Sequence, residues 1–187
     1  VSTSADLDVP TEYTVGIDST SLCLGDADEY NNGMTDLGQL YYMLHHDTAV
    51  YLLSRLGYTE DEAEDVMEGC LTFEALCAAH ELPRSAQYEA DFYERINNAY
   101  DRAGLEKLAG TFPLPEMLDA YGYGASAKYL LPEPEWLGAM GGIYAEKNLE
   151  EMKDYLKVRL AVGSCAVLDR EAYDRYVEIS NAVNGIT

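Results

Sequence analysis

Hydrophobic positions recur at helical spacing along most of the chain after residue 35. Residues 36–58 place leucines and tyrosines three and four positions apart, and Gly57 supplies a stop signal near the end of the run. This spacing predicts one long amphipathic helix. Its apolar positions are Leu37, Leu40, Tyr41, Leu44, Tyr51, Leu52 and Leu56.

A second helix is predicted directly after the first. Thr59 and Glu62 have the spacing of a capping box, in which each side chain accepts a hydrogen bond from the backbone N–H of the other residue. The helix should end near Leu82, because Pro83 lacks an amide donor and disfavours helical geometry in the residue before it. Its apolar stripe comprises Val66, Cys70, Phe73 and Cys77.

The middle of the chain predicts a third long helix and two short ones. Ser85 can cap the third helix, and Gly104 closes it. Pro115 stands at the start of one short helix, Gly122 follows its end, and Pro134 starts the next. The stripe of the third helix comprises Tyr88, Phe92, Ile96, Ala99, Tyr100 and Ala103.

The remainder of the chain predicts two more helices. Asn148 and Glu151 have capping-box spacing at the start of the first, and residues 170–183 continue as the second. The first is the longest helix predicted after residue 104. Its inner face comprises Leu149, Met152, Leu156, Leu160 and Val167.

Strand patterns are confined to two places. Tyr13, Val15 and Ile17 alternate with other residues before a polar turn and a short apolar run at 22–24, and residues 128–132 carry a second signal. The sequence shows no internal repeat and no low-complexity linker. It therefore predicts a mainly α fold, a helical bundle with a small β-hairpin near its N-terminus, over a single helical segment of residues 1–187.

Composition adds a strong negative charge to this picture. The 187 residues are 48% hydrophobic, enough for a sizeable core, and 34 Asp and Glu against 12 Lys and Arg give a net charge of -22. Such a surface repels phosphate backbones and anionic membranes, so nucleic acid is not an expected partner. The charge would suit cationic peptides or Ca²⁺, and it would equally suit a solvated surface with no binding role.

The sequence offers no membrane span and no targeting segment. A span needs a run of about 18 apolar residues, and none is present. The first ten residues are polar and begin without Met, which indicates a processed chain or a segment of a longer one.

One short motif suggests a zinc peptidase. His80 and Glu81 begin the sequence HELPR, but Arg84 stands where an HExxH motif needs its second histidine, and a guanidinium repels the cation. Pro83 also interrupts the helix that must carry both ligands. We interpret the His-Glu pair as accidental.

Other candidate ion sites fail on spacing. His45 and His46 are adjacent and point about 100° apart on a helix, so they cannot chelate one ion together. Asp26, Asp28 and Asn31 suggest a calcium loop, but a loop counted from the first aspartate lacks the glycine and the final glutamate of an EF-hand. A turn with Asx hydrogen bonds explains them better.

The remaining carboxylates and cysteines have structural explanations. Glu133 with Glu135, and Glu150 with Glu151, stand at predicted helix starts, where the helix dipole favours negative charge. The four cysteines are too few for a disulfide scaffold and too widely spaced for a zinc ribbon, so we expect mainly buried thiols. No catalytic, metal-binding or cofactor-binding residue is predicted. The cysteines are Cys23, Cys70, Cys77 and Cys165.

Three stretches together resemble the neprilysin family of zinc metalloendopeptidases. Residues 13–30 are similar to that family's hairpin followed by Leu-x-Leu-Pro-x-Arg-Asp-Tyr-Tyr, residues 129–140 to a strand followed by Pro-Glu-Tyr-Leu, and residues 148–161 to Leu-Lys-x-Tyr-Leu-x-Trp-Arg-Leu. The matches are Leu22, Leu24, Asp28, Tyr30, Pro134, Glu135, Leu137, Leu149, Tyr155, Leu156, Arg159 and Leu160. The departures are Gly25, Ala27, Glu29, Trp136 and Val158.

The resemblance implies a specific role. In that family the zinc ligands and the general base lie in the C-terminal part of a chain several times longer. The region seen here belongs to a non-catalytic N-terminal lobe that closes over the catalytic cleft and restricts substrates to peptides. It would be inactive alone and hold no cofactor, with zinc in the parent chain. The C-terminal catalytic domain and peptide substrates would be its partners, in an extracellular or cell-surface location.

Two alternatives come from other functional classes. The chain could be a stand-alone acidic helical protein-interaction module, or a small hydrolase whose site shows no known motif. If it is instead a segment of a larger protein, apolar surface that contacts the other lobe will be exposed. We therefore expect a sizeable apolar patch or a dimer.

Overall fold

The computed structural model describes residues 1–5 and 13–183, and this part of the chain is mainly α-helical, as the sequence predicts. The strands are β1 (Ser2–Ala5), β2 (Tyr13–Gly16), β3 (Ala99–Tyr100) and β4 (Tyr129–Leu130). The helices are α1 (Ala27–Asn31), α2 (Asp36–Arg55), α3 (Glu60–Ala78), α4 (Phe92–Ile96), α5 (Arg102–Ala109), α6 (Leu114–Ala120), α7 (Pro134–Ile143), α8 (Leu149–Gly163), α9 (Cys165–Leu168) and α10 (Arg170–Val183), with 3-10 turns at Arg84–Tyr88 and Glu146–Asn148.

The strands form one small sheet in the order β1-β2-β4-β3. A small hairpin near the N-terminus is present, as predicted, but β2 forms it with β1, which precedes it in the chain. The apolar run at 22–24, which the sequence placed after the turn, is not a strand. On its other edge β2 pairs in parallel with β4, where Val15 lies opposite Tyr129. The strand signal at residues 128–132 is therefore confirmed.

Helices α2, α3 and α8 enclose one hydrophobic core. The capping box at the start of α3 is confirmed, because Glu62 N donates to Thr59 Oγ1 at 3.3 Å and Thr59 N donates to Glu62 Oε2 at 2.8 Å. The predicted stripe of α3 is buried along its whole length. The core comprises Cys23, Ala49, Leu52, Leu53, Ala63, Val66, Met67, Cys70, Val158 and Ala161.

A second core joins the sheet to α5, α6, α7 and the C-terminal half of α3. Trp136, Leu137 and Met140 of α7 pack in it beside Phe73 of α3. Helix α7 begins at the predicted Pro134, and α6 begins one residue before the predicted Pro115. Gly122 follows α6 with φ of +82°, a conformation that glycine adopts readily.

The predicted third helix was wrong, and α3 ends four residues earlier than expected. Residues 80 and 81 close tight turns onto α3, and the amide of Leu82 donates to Glu133 Oε1 at 3.3 Å instead of to the helix. Farther along, Leu131 N donates to Asn98 O at 2.9 Å, and Ala99 and Tyr100 enter the sheet as β3. Sheet pairing therefore overrides the helical spacing of this segment.

The predicted inner face of α8 was wrong at four of its five positions. Met152 packs against the core as expected, whereas Leu149 is exposed and Val167 lies in α9. Val158 and Ala161 are buried, whereas Leu156, Leu160 and Val167 are 55%, 68% and 85% exposed. Helices α3 and α8 approach closely, since a Cβ at position 69 of α3 would lie 2.9 Å from the Cβ of Asp154 on α8. Small and β-branched residues suit that close contact better than leucines do.

Helix α8 begins directly after Asn148, as predicted, but the capping hydrogen bond expected from that side chain was wrong. Asn148 makes no side-chain hydrogen bond to α8. Its Nδ2 instead donates to the carbonyl oxygen of Ile143 at 2.8 Å, at the end of α7. The side chain therefore provides a hydrogen-bond donor to a carbonyl at the end of α7, and it does not accept from the amides at the start of α8.

Candidate interaction surface and buried polar clusters

Helix α2 carries two apolar faces. Of the seven positions that the sequence places on its apolar stripe, Leu52 is buried and the other six are exposed. The buried face uses Gly38, Ala49 and Leu53 beside Leu52. We call the five exposed residues within the helix the α2 stripe: Leu37, Leu40, Tyr41, Leu44 and Tyr51, between 38% and 57% exposed.

A polar contact at its N-terminus fixes the rotation of α2. Thr35 caps the helix by accepting a hydrogen bond from Gly38 N at 3.1 Å, and Glu29 Oε2 accepts one from Thr35 N at 2.7 Å. A Cβ at Gly38 would overlap the carboxylate of Glu29, so glycine lets this side of α2 pack directly against that side chain. The side of α2 that carries Gly38 therefore faces inward, and the α2 stripe is left in solvent.

An apolar groove of about 510 Å³ continues from the C-terminal end of the α2 stripe. It lies between α2 and helices α9 and α10, and the hydroxyl of Tyr51 donates to the carboxylate of Asp169 at its edge. The exposed apolar surface that the sequence led us to expect is thus present. The groove is lined by Asp47, Thr48, Tyr51, Leu52, Cys165, Asp169, Ala172 and Tyr173.

The HELPR motif is not built as a metal site. His80 and Glu81 follow the last residue of α3, so no helix presents them with position 84 on one face. Arg84 points to the loop before α1, where its Nη2 donates to the carbonyl oxygen of Gly25 at 3.2 Å and its amide donates to Asp26 Oδ1 at 3.0 Å.

A histidine and an aspartate considered as ion ligands also make hydrogen bonds within the protein. His46 Nε2 lies 2.6 Å from Glu64 Oε2 of α3. Burial lowers the pKa of His46, but its hydrogen bonds to Glu64 and Asp47 outweigh this and raise the pKa above its ordinary value. Asp26 Oδ1 accepts from Asp28 N at 3.2 Å, which confirms the Asx turn.

Two half-buried carboxyls lie together between the end of α3 and the start of α7. Glu81 Oε1 and Glu133 Oε2 are buried and have no hydrogen-bond partner. Burial, together with the charge of Glu133, raises the pKa of Glu81 from its ordinary 4.5 to about 8. Ser19 hydrogen-bonds to both carboxyls and opposes the shift. Glu133 thus faces inward instead of capping α7.

A second polar cluster lies inside the α2, α3 and α8 core. Cys23, Cys70 and Glu74 each bring one sulfur or carboxylate oxygen to within 4.8 Å of the other two, and all three residues are buried. Glu74 Oε2 accepts hydrogen bonds from Cys23 N at 3.0 Å and from the hydroxyl of Tyr30. These are the described residues that could hold a metal ion.

Comparison with known proteins decides the family. The whole chain, residues 1–187, matches the model Peptidase_M13_N, described as Peptidase family M13. The chain belongs to this peptidase family. Its resemblance to the neprilysin-like metalloendopeptidases is thereby confirmed. Among curated protein sequences, none matches this chain at a significant level.

Two solved structures of family members share the fold. The zinc metalloprotease Zmp1 of Mycobacterium tuberculosis, in its open state, is 18% identical with a TM-score of 0.61 over 80% of this chain and 23% of its own. PepO of Lactobacillus rhamnosis is 17% identical with a TM-score of 0.65 over 83% of this chain and 24% of its own. The chain therefore spans about a quarter of the length of each.

The three stretches that resemble this peptidase family meet around one loop. Trp136 Nε1 donates to Thr20 Oγ1 at 3.1 Å, and the hydroxyl of Tyr155 donates to the carbonyl oxygen of Ser21 at 3.5 Å. The amide of Leu24 donates to the hydroxyl of Tyr30 at 3.2 Å. The motif residues thus stabilise the packing of this loop against α7 and α8.

Sequence reasoning missed both the Cys23–Cys70–Glu74 cluster and the Glu81–Glu133 pair. Cys70 and Glu74 are four residues apart on a helix, a usable signal, but Cys23 joins them through tertiary packing alone. Glu81 was considered only as part of HELPR. No helix of the described residues is long and apolar enough to cross a membrane.

Proposed function

We propose that this chain forms part of the non-catalytic N-terminal lobe of a neprilysin-like zinc metalloendopeptidase. The lobe closes over the catalytic cleft and restricts substrates to peptides. Membership of the peptidase family supports the assignment, and a quarter-length match to zinc metalloproteases supports its being one part of a larger enzyme. The observation that carries the role of a lobe is the α2 stripe.

The α2 stripe suits an internal interface. Each large apolar side chain that is fully buried gains about 1.5–3 kcal/mol relative to exposure, so five half-exposed side chains on one helix leave a substantial free energy unused. Monomeric proteins rarely expose contiguous apolar surface of this kind without a partner. The partner proposed is the remainder of the same protein, with the C-terminal catalytic domain beyond it.

The division of labour follows from this assignment. The catalytic domain would supply the zinc ligands and the general base, and the present chain would shape the wall of the chamber and be inactive alone. The enzyme would act outside the cytoplasm, at the cell surface or in the medium. The net charge of -22 would favour cationic peptides at the chamber wall. Equal cleavage rates for matched cationic and anionic peptides would exclude that preference.

The test uses the full-length protein encoded by the same gene. One substrate is a short unstructured peptide, and the other is the same peptide sequence held within a stable folded domain. The wild-type enzyme should cleave the first and spare the second. The double variant Leu40→Asp, Leu44→Asp should loosen the lobe and reduce this discrimination several-fold, whereas the control Tyr88→Asp, at an 88% exposed side chain, should not.

The outcomes separate the candidate functions. If the folded double variant discriminates between the free peptide and the folded domain as well as the wild type does, the proposed role of the α2 stripe in the lobe is contradicted. A full-length protein that cleaves no peptide in the presence of zinc would favour the stand-alone interaction module. Dimerisation through the α2 stripe stays a prediction, which sedimentation of the 187-residue chain at several concentrations measures.

A further inference from the structure

The buried Cys23–Cys70–Glu74 cluster has the composition of a metal site. Two sulfur atoms and a carboxylate oxygen converge within 4.8 Å of one another from two separate segments, the loop before α1 and the middle of α3. Thiols and a carboxylate are ligands that Zn²⁺ accepts in proteins, and thiolates select Zn²⁺ and Cu⁺ over Mg²⁺ and Ca²⁺. Cys23 is 4% exposed, and Cys70 and Glu74 are fully buried.

An unpartnered oxygen points to a ligand. Glu74 Oε2 is satisfied by the hydroxyl of Tyr30 and the amide of Cys23, but Glu74 Oε1 is buried and accepts no hydrogen bond. A buried carboxylate oxygen without a partner is costly, and native proteins pair such groups with a donor or a cation. The neighbouring side chains that could share a cation with Glu74 are the two thiols, which contact each other.

We propose that Cys23, Cys70 and Glu74 bind one structural Zn²⁺ ion. Binding would displace the two thiol protons to solvent and form two zinc–thiolate bonds and one zinc–carboxylate bond. The three anionic ligands carry three negative charges, so the site with one Zn²⁺ has a net charge of about −1. The charge of Arg159 on α8 acts weakly on the Cys70 thiol, so it would offset part of that remaining charge. An oxygen of Tyr30 or of water would complete a tetrahedron.

This ion would be separate from the catalytic zinc expected elsewhere in the enzyme. The cluster is enclosed by the α2, α3 and α8 core and lines neither the groove beside α9 nor the surface around Glu81 and Glu133. A substrate therefore has no path to it in the described part of the chain. Its role would be to fix the loop before α1 to α3, and it is independent of the proposed function.

The experiment measures metal in the 187-residue chain. The protein is reduced, stripped by a chelator, reconstituted anaerobically with Zn²⁺ or Co²⁺, and dialysed. We expect one tightly held zinc per chain by elemental mass spectrometry, and a thiolate-to-cobalt charge-transfer absorption with Co²⁺. Cys23→Ser and Cys70→Ser should lose both signals, whereas Cys77→Ser should retain both, because Cys77 is a buried thiol of the same helix outside the cluster.

A conservative variant covers the risk of misfolding. Glu74→Gln keeps an oxygen that accepts the Tyr30 and Cys23 hydrogen bonds, so circular dichroism should show a folded chain, with zinc affinity lowered at least about tenfold. The proposal is overturned if the folded, reduced wild type retains no zinc and shows no thiolate-to-cobalt band. It is also overturned if Cys77→Ser abolishes the signals as fully as Cys70→Ser does. A Cys23–Cys70 disulfide that persists after reduction would overturn it too.

Discussion

Glu81 and Glu133 show how single residues set the pH response of this chain. Their carboxyls are partly removed from water near the end of α3, and each keeps one oxygen without a hydrogen bond. Burial and the charge of Glu133 raise the pKa of Glu81 to about 8. The folded chain therefore holds a proton that the unfolded chain releases as the pH rises above 4.5.

The stability of the wild type should consequently fall as the pH rises from 4.5 to about 8. Glu81→Gln removes the ionisation and should flatten this part of the profile. A pKa shift in a fully buried group corresponds to ~1.4 kcal/mol of stability for each pKa unit. Because Glu81 is partly solvated, we expect a smaller effect than the whole shift would give, and at pH 9 the variant should be more stable than the wild type by about 1–2 kcal/mol. Urea unfolding at pH 5 and pH 9 measures the difference.

The control for this prediction is Glu68→Gln, which removes an exposed carboxylate from α3. Its difference from the wild type should stay within about 0.5 kcal/mol at both pH values. A Glu81→Gln profile that runs parallel to the wild type would contradict the assigned pKa shift.

At the same scale, sequence predicted some side-chain roles and missed others. The capping pair Thr59 and Glu62 is local, so its spacing alone predicted the hydrogen bonds that form. Glu74 and Glu133 owe their roles to residues about 50 positions away, such as Cys23 and Leu82. No local pattern contains that information.

Among the elements, the cap of α3 gives a direct test of local stabilisation. Thr59→Ala removes the side-chain acceptor of Glu62 N and should lower the free energy of unfolding by roughly 1 kcal/mol. Thr72→Ala, in the exposed middle of the same helix, should change it by less than about 0.5 kcal/mol. Thermal or urea unfolding of both variants measures the two changes. An equal loss of stability in Thr59→Ala and Thr72→Ala would exclude a specific role of the cap.

Helix α8 tests the observed packing against the sequence pattern. Val158→Ala should cost about 2 kcal/mol, because it empties space in the α3–α8 contact. Leu160→Ala should change the stability of the 187-residue chain by less than about 0.5 kcal/mol, since Leu160 is 68% exposed. Urea unfolding of both variants measures these losses. A larger loss for Leu160→Ala than for Val158→Ala would mean that α8 buries the face predicted by the sequence pattern and not the face observed.

Element boundaries were predictable where capping or proline signals exist. Helices α2, α6 and α7 start or end at the expected residues. The face that each helix buries was less predictable. Helices α2 and α8 carry more apolar positions than one contact can cover, so periodicity cannot say which set is inside. The structure shows which set is inside: α2 buries the side that carries Gly38, and α8 buries Val158 and Ala161.

For the whole molecule, the mainly α fold and the family followed from pattern and motifs taken together. Each motif is weak alone, and their order along the chain made the resemblance specific. The molecule combines a net charge of -22 with an exposed apolar helix face. The charge keeps the surface solvated, while the α2 stripe is the apolar area that we propose for contact with the rest of the enzyme.

Hydroxyl-radical footprinting read by mass spectrometry measures most directly whether the α2 stripe is an internal interface. Oxidation rates are compared between the 187-residue chain and the full-length protein from the same gene. We predict that Leu40, Tyr41 and Leu44 react several-fold more slowly in the full-length protein, while the highly exposed Tyr88 and Tyr93 serve as references. Equal rates for the α2 stripe in both proteins would contradict the lobe assignment.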